Sequence, residues 1–229
     1  MINRRNFLKT TIVGAVASFV PSALLAENNE KLPNVLILGD SISIGYTPFV
    51  RDMLKGKANV YRPLYPNGKA ENCEGTTKGK EMMEEWLSAN KWDIIHFNFG
   101  LHDLKHVDEK TGKNSTNPDD PQQAGLKTYK KNLKEIVEKL NVTGATLVFA
   151  TTTPFPDKPK GPLRRADQPK KYNKVALKIM KKYDIRINNL HDFVLPRMEE
   201  LQLPSNVHFK KAGSEALAKQ VVKHIEELL

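Results

Sequence analysis

Five short runs rich in β-branched and other apolar residues alternate along the chain with segments of helical hydrophobic spacing. Runs this apolar are typical of strands that are covered on both faces. They are Val35–Leu38, Ala58–Tyr61, Asp93–Phe99, Ala145–Ala150 and Ile185–Asn188. Because a parallel connection between strands needs a crossover element, strict alternation predicts a parallel sheet between two layers of helices. The expected fold is therefore α/β, a three-layer α/β/α sandwich with a five-stranded parallel sheet.

Helical segments separate and follow these runs. Helices are predicted over Thr47–Lys55, Thr76–Asn90, Gln123–Leu140, Pro169–Lys182, His191–Leu201 and Ala212–Leu229. Two long connections, Leu104–Gln122 and Thr153–Gln168, interrupt the alternation. Loops of more than about 12 residues in a compact domain are usually functional or disordered. Since both follow strands, we expect them at the edge of the sheet where α/β proteins bind ligands.

Composition limits the class of protein. The 229 residues are 39% hydrophobic and 27% charged, which fits a globular chain and excludes a fibrous or disordered one. The single cysteine, Cys73, excludes an intramolecular disulfide framework and multi-cysteine metal sites. The net charge is +10, but the lysines are not interleaved with aromatic residues in one stripe. We therefore expect no nucleic-acid partner, whereas a polyanionic substrate stays open.

The first 26 residues have the organisation of an export signal. Arg4 and Arg5 precede an uncharged run of 17 residues from Thr10 to Ala26, and the segment contains no acidic residue. Paired arginines before such a run resemble a twin-arginine signal. A membrane-spanning helix is the alternative, but the run is short and contains Pro21. We expect residues 1–26 to be removed, leaving residues 27–229 as one periplasmic or extracellular domain without stable membrane insertion.

Two residues far apart in the sequence are candidates for nucleophilic catalysis. Ser41 follows the first predicted strand within Gly39-Asp40-Ser41, and a strand-to-helix turn exposes a hydroxyl beside helix N–H groups. Ser41 could instead only cap the helix, so a partner base is needed. His208 is that candidate, because it lies in a loop before the last helix that returns to the same edge of the sheet.

Four short blocks, in order, resemble those of the SGNH hydrolases, also called the GDSL esterase/lipase family. They are Gly39-Asp40-Ser41, Glu74-Gly75-Thr76-Thr77, Gly100-Leu101-His102-Asp103 and Ser205-Asn206-Val207-His208. The resemblance covers nearly all of residues 27–229. It implies a flavodoxin-like sandwich and a serine esterase without cofactor or metal. It also implies that Ser41 is the nucleophile, that His208 is the base, and that the oxyanion hole consists of the Ser41 and Gly75 N–H groups and the His102 side chain.

Two positions depart from the family pattern. His102 stands where the family has an asparagine, and an imidazole can still donate one N–H, or two when protonated. Ser205 stands where the family has the aspartate that orients the histidine, so we expect a Ser-His dyad in which the Ser205 hydroxyl or carbonyl holds His208. A carboxylate from elsewhere is the alternative, and the candidates are Asp103, Asp184 and Asp192.

Other chemistry-bearing residues need separate interpretation. A metal site is suggested by the close spacing of His102, Asp103 and His106, with His96 before them. We rank this interpretation below the oxyanion role of His102. Cys73 is interpreted as a small buried hydrophobe and Asp40 as a backbone-bonding residue of the turn. Tyr46, Arg164 and Arg165 are candidate substrate contacts, and the arginines, with Lys158 and Lys160, would suit an acidic sugar.

The expected function is an exported serine esterase that hydrolyses acyl esters, with acetyl groups on carbohydrate as the first substrate class to consider. A small ester or a polysaccharide ester is thus the expected partner. A lipid or lysophospholipid esterase is the enzymatic alternative. A carbohydrate-binding protein that kept the fold but lost catalysis is the other alternative, because Ser205 replaces the aspartate.

Overall fold

The computed structural model describes residues 31–229, and residues Leu32–Leu229 form one unit. Its five strands are β1 (Asn34–Leu38), β2 (Asn59–Tyr61), β3 (Ile94–Phe97), β4 (Thr146–Ala150) and β5 (Arg186–Asn188). All neighbouring strands pair in parallel, in the order β2-β1-β3-β4-β5. The predicted five-stranded parallel sheet is therefore confirmed. The predicted export segment, residues 1–26, lies outside the described residues.

Seven helices lie within residues 31–229. They are α1 (Ser41–Met53), α2 (Thr76–Ser88), α3 (Leu126–Asn141), α4 (Gln168–Lys182), α5 (Leu190–Val194), α6 (Met198–Leu201) and α7 (Lys211–Glu226). Side chains alternate across the central strands, so Leu36 and Leu38 pack with α2, α3 and α4 while Val35 and Ile37 pack with α1 and α7. Burial on both faces explains why the central strands are continuously apolar. The predicted three-layer sandwich is thus confirmed.

The first helix starts earlier than its prediction. It begins at Ser41 rather than Thr47, and it continues through Pro48. The start is fixed by the Asp40 carboxylate, which accepts a hydrogen bond from the Ile42 N–H at 2.9 Å, and by the Ser43 hydroxyl, which donates to the Asp40 carbonyl at 2.7 Å. The proline removes only one intrahelical hydrogen bond, and buried contacts of Tyr46 and Val50 hold the helix on the sheet.

The predicted helix over His191–Leu201 is broken into three pieces. Helix α5 ends at Val194, a single 3-10 turn spans Leu195–Arg197, and α6 follows. Pro196 lies in that turn and cannot donate a helical hydrogen bond, which accounts for the break. None of the helices within residues 31–229 has the length and apolarity needed to cross a bilayer.

Both long connections lie at the carboxyl edge of the sheet and contact each other. The His106 N–H donates to the Leu163 carbonyl at 2.9 Å, and the Leu163 N–H donates to the Ser115 carbonyl at 2.7 Å. The second connection also reaches the loop before α7, because the Gln202 side chain donates to the Pro154 carbonyl at 2.7 Å. These bonds hold three loops together around the end of β1, where Ser41 lies.

Candidate active site

Ser41 and His208 are in direct contact although 167 residues separate them in the chain. Ser41 is the first residue of α1, immediately beyond β1, and its Oγ lies 2.9 Å from Nε2 of His208. The candidate nucleophile and the candidate base are thus within hydrogen-bond distance of each other. His208 is exposed and Ser41 is partly exposed, so a substrate can reach the pair from solvent.

The His208 ring is oriented by Asn206. The Asn206 Oδ1 lies 2.8 Å from Nδ1 of His208 and also accepts the His208 backbone N–H at 3.1 Å. Because the backbone N–H can only donate, Oδ1 is the acceptor, and the ring proton therefore sits on Nδ1. Nε2 is then left unprotonated and can accept the Ser41 proton. Asn206 is not among the residues predicted from the sequence, although an asparagine two residues before the histidine is a visible signal.

Ser205 does not orient His208, which corrects the prediction. Its backbone has φ 50° and its carbonyl accepts from the Lys160 N–H at 2.8 Å, so this residue joins two loops instead. The proposed substitute carboxylates are engaged elsewhere or lie apart: Asp103 bonds Thr76, Asp192 bonds His191, and Asp184 occupies the turn before β5. Within residues 31–229 the partner of Nδ1 is thus a neutral amide.

The second block forms the start of α2. Gly75 is its N-cap, and an N–H group at a helix start that has no intrahelical acceptor can donate to an anion. Glu74, just before it, has φ 56°, which turns the chain so that the helix can begin. A Cβ on Gly75 would lie 3.0 Å from Oδ2 of Asp103, so a larger residue would push this carboxylate. These features favour glycine at position 75.

Asp103 stabilises the start of α2 by accepting hydrogen bonds from Thr76. Its Oδ1 accepts from the Thr76 N–H at 2.8 Å and from the Thr76 hydroxyl, while Oδ2 is buried and has no hydrogen-bond partner in residues 31–229. Burial raises the pKa of Asp103 to about 6, although the bonds from Thr76 lower it. The carboxyl group therefore supports the start of α2, next to Gly75, rather than His208.

His102 lies next to Asp103 and is kept neutral. Burial lowers its pKa to about 3, and the charges of Lys105, Arg164, His208 and Lys78 add to the shift. Its Nδ1 is buried with no hydrogen-bond partner in the described part of the chain. Since nothing accepts a proton there, the neutral ring carries its proton on Nε2, which can donate one hydrogen bond. The doubly protonated form considered in the sequence analysis is therefore excluded near neutral pH.

Arg62 ties the first two blocks together. Its buried guanidinium donates to Ser43 Oγ at 3.2 Å, to Thr47 Oγ1 at 3.1 Å, to the Gly39 carbonyl at 3.3 Å and to the Glu71 carbonyl at 2.8 Å. The chain on either side of Ser41 is therefore bonded to the segment that leads to Gly75. Arg62 is not among the residues predicted from the sequence, where its one signal is that it directly follows a short apolar run.

The three predicted substrate contacts differ in position. Tyr46 is buried against the sheet, with its ring edge-on to His96 at 6.4 Å between centroids, so its predicted role as a substrate contact is wrong. Arg164 is buried, and its Nε donates to the Leu101 carbonyl at 3.3 Å, beside His102. Arg165 is exposed on the loop. Only Arg164 is thus held against the candidate site.

The residues considered for thiol or metal chemistry have other partners. Cys73 is fully buried and burial raises the pKa of its thiol to about 12, so its interpretation as a core residue is confirmed. His106 Nδ1 bonds the Asp120 carbonyl at 2.6 Å, and His96 Nε2 lies 3.2 Å from the Asn188 amide. No group of three or more potential ligands is assembled within residues 31–229.

Comparisons with known proteins agree with this geometry. The GDSL-like Lipase/Acylhydrolase family matches residues 37–216. The structure is similar to an acetyl xylan esterase, AlAXEase (TM-score 0.65, 14% identity, 84% of this chain and 99% of that one). It is also similar to a lipase/acylhydrolase from Enterococcus faecalis (TM-score 0.66, 18% identity, 86% and 96%).

A third similar structure is Axe2, an acetylxylan esterase from Geobacillus stearothermophilus (TM-score 0.65, 17% identity, 84% and 94%). No curated protein matches the chain in sequence. At these identities the solved structures establish the fold. The family match covers most of the chain and includes all four blocks in full. The chain therefore belongs to the GDSL-like lipase/acylhydrolase family of ester-hydrolysing enzymes.

Proposed function

We propose that the protein is an exported serine esterase that removes small acyl groups, acetyl first among them, from carbohydrate. In the first half-reaction His208 Nε2 takes the proton of Ser41 as Oγ attacks the ester carbonyl carbon. The carbonyl oxygen becomes an oxyanion that accepts hydrogen bonds from the Ser41 and Gly75 N–H groups and from His102. Collapse of this intermediate expels the sugar alkoxide, which receives the proton from His208.

Water completes the cycle. His208 Nε2 takes a proton from a water molecule, whose oxygen attacks the acyl-serine carbonyl, and the same donors stabilise the second oxyanion. When the intermediate collapses, Ser41 Oγ recovers a proton from His208 and the carboxylic acid leaves. Asn206 holds the ring through both steps, but an amide stabilises the imidazolium less than a carboxylate does.

The 2.9 Å contact between Ser41 and His208 carries this proposal. The carbohydrate assignment is supported by the exposure of His208, which suits an acyl group carried on a polymer, and by similarity to two acetyl xylan esterases. A lipid esterase needs an apolar groove at the nucleophile. A groove of about 550 Å³ beside α4 is lined by four lysines and contains neither Ser41 nor His208.

The direct test is hydrolysis by the purified protein of p-nitrophenyl acetate, p-nitrophenyl palmitate and acetylated xylo-oligosaccharides. We expect turnover of the first and third and little of the second. Ser41→Ala and His208→Ala should each lower kcat by about 10⁴-fold or more, and the double variant should be little worse than either, because the two residues act as a unit. Independent, multiplicative losses would contradict the dyad.

A carbohydrate-binding protein without catalysis is the competing function, since the orienting residue is an amide. A fluorophosphonate probe separates the two, because it labels only an activated serine. We expect peptide mapping to find the label on Ser41, with His208→Ala abolishing it. Binding of xylo-oligosaccharides without labelling or ester hydrolysis would favour the binding protein.

Export is tested separately from catalysis. Replacing both Arg4 and Arg5 by lysine keeps the charge but removes the guanidinium pair that a twin-arginine translocase reads. We expect the unprocessed precursor to accumulate inside the cell, as seen by fractionation and immunoblotting. Secretion at the normal level would show that another export route is used.

A further inference from the structure

Two cationic side chains lie almost buried beside the oxyanion region without an acidic partner. Lys105 is 9% exposed and Arg164 is 8% exposed. Within residues 31–229 neither forms an ion pair with a carboxylate, and only Nε of the Arg164 guanidinium makes a hydrogen bond. Buried cations are normally paired, because removing a charge from water is costly. This pair therefore needs an explanation.

The backbone holds both residues at the same place. The Leu163 carbonyl, next to Arg164, accepts from the His106 N–H at 2.9 Å, and the Lys105 carbonyl accepts from the Gln123 N–H at 2.8 Å. The Arg164 Nε reaches the Leu101 carbonyl at 3.3 Å, one residue before His102. Two long loops thus fix the two cations on the turn that carries the candidate oxyanion donor.

The nearby acids do not neutralise them. Glu74 is 3.5 Å from Lys78, Asp103 bonds Thr76, and Asp40 bonds the N–H of Ile42. Asp40 is the acid whose charge acts on Arg164, but the two do not form an ion pair. Burial and the charge of Arg164 lower the pKa of Lys105, as expected for two cations that repel each other, and the charges of Glu74 and Asp103 offset this shift only in part. An anion from outside the chain would relieve this repulsion.

We propose that Lys105 and Arg164 form an anion subsite that binds the carboxylate of an acidic sugar whose acyl ester lies at Ser41. A planar guanidinium with free N–H groups suits a carboxylate, and the ammonium adds a second charge-assisted hydrogen bond. The subsite rests on the proposed esterase function and makes its substrate class more specific. Exposed Arg165, Lys158 and Lys160 are left outside it.

The test compares acetylated methyl galacturonoside with acetylated methyl galactoside, which differ only at C6, where the first has a carboxylate and the second a hydroxymethyl group. We expect kcat/KM to be at least about tenfold higher for the acidic sugar, mainly through KM, since a charged hydrogen bond to the substrate carries that much. Lys105→Met and Arg164→Met should each reduce this preference severalfold, with Arg164→Lys intermediate. Arg165→Met is the matched control and should keep the preference.

The outcomes separate the two proposals. If p-nitrophenyl acetate is not hydrolysed, the esterase proposal fails; if it is hydrolysed but the two sugars react equally, the anion subsite fails. Loss of the preference in Arg165→Met with retention in Arg164→Met would move recognition to the exposed loop and overturn the subsite. If the Lys105 and Arg164 variants do not fold, inhibition of the unaltered enzyme decides. Free galacturonate should inhibit more strongly than galactose, and equal inhibition would overturn the proposal.

Discussion

On one side of Ser41 an exposed loop holds His208, and on the other a buried turn holds His102. The ring of His208 bonds Asn206, a neutral and partly exposed amide. His102 is surrounded by buried groups whose pKa values are shifted, including Asp103 and Lys105. The same residue type is thus placed in two opposite environments within one site.

The difference between the two environments fits the roles that we propose for the two histidines. A base has to exchange protons with substrate and water, so an exposed imidazole with a fixed tautomer suits the His208 side. An oxyanion donor has to keep its proton and meet a developing charge in a dry surrounding, where hydrogen bonds are worth more than in water. Burial on the His102 side provides that surrounding and also keeps the ring uncharged.

Among the residues around the Ser41–His208 pair, the largest effect is expected on the buried side. His102→Ala removes one oxyanion donor and should lower kcat for p-nitrophenyl acetate by about 10²- to 10³-fold. His102→Asn restores a side-chain N–H near the same place, so it should retain much more activity than alanine. Steady-state kinetics of the two variants beside the unaltered enzyme measure the difference. Equal losses in both would remove His102 from the oxyanion hole.

A metal role for His102 would produce the opposite pattern. An amide in place of an imidazole that binds the metal would lose the ion and the activity together, and a chelator would abolish the activity of the unaltered enzyme. We expect full activity after dialysis against EDTA. Chelator-sensitive turnover restored by a divalent ion would return His102, Asp103 and His106 to consideration as ligands.

The next largest effect is expected on the free energy of unfolding, whose pH dependence tests the burial of His102. Because the pKa of His102 is about 3 in the folded chain and about 6.5 when unfolded, the unfolded state binds more protons between those values. The free energy of unfolding therefore falls as the pH falls through this window. Between pH 7 and pH 5 the loss from one such histidine is about 2 kcal/mol. His102→Asn should remove that loss.

Asp103 acts with the opposite sign. Its pKa of about 6 lies above the unfolded value, so the folded state binds more protons, and lowering the pH to 5 adds about 1 kcal/mol of stability. The measurement is urea denaturation of the unaltered protein and His102→Asn at both pH values. His96→Asn is the control outside the site, since burial lowers the pKa of His96 to about 3 as well. An unchanged pH dependence in both variants would contradict the assigned burial.

The fold was predictable because its signals are local. Each central strand is covered on both faces, so its sequence is a continuous apolar run. The buried residues of α3 recur at helical spacing in the sequence. The errors lie where one residue decides the local geometry. Asp40 caps α1, which therefore begins six residues before the predicted start, and Pro196 divides one predicted helix. Such effects depend on single side chains, which the hydrophobic periodicity does not show.

The site was predictable only in part, because its support comes from contacts across the chain. Four candidate site residues lie in blocks that can be recognised in the sequence: Ser41, Gly75, His102 and His208. Arg62 is instead placed by hydrogen bonds to residues 9 to 23 positions away in the chain, which no sequence block reveals. Tyr46 illustrates the reverse case. It follows the nucleophile closely in sequence, but the helix turns its ring into the core, so proximity along the chain gave the wrong role.

A smaller effect is expected on the exposed side of Ser41. Asn206→Ala leaves Nδ1 of His208 to solvent, so the ring is oriented less often, and kcat should fall about tenfold. Asn206→Asp places a carboxylate where Oδ1 accepts now, which stabilises the imidazolium. Its acid limb in a plot of kcat/KM against pH should therefore shift to higher pH. Unchanged kinetics in both variants would show that Asn206 does not act on His208.

The smallest effect is expected at Ser205, the position that the family pattern points to. Its side chain is exposed, its carbonyl is taken by the Lys160 N–H, and its φ of 50° is equally available to alanine. Ser205→Ala should therefore keep kcat within about twofold of the unaltered enzyme, because it leaves the Asn206 contact in place. Stopped assays of both enzymes at several pH values make the comparison. A tenfold loss in Ser205→Ala with none in Asn206→Ala would return the orienting role to Ser205 and reverse the assignment made from the hydrogen bonds.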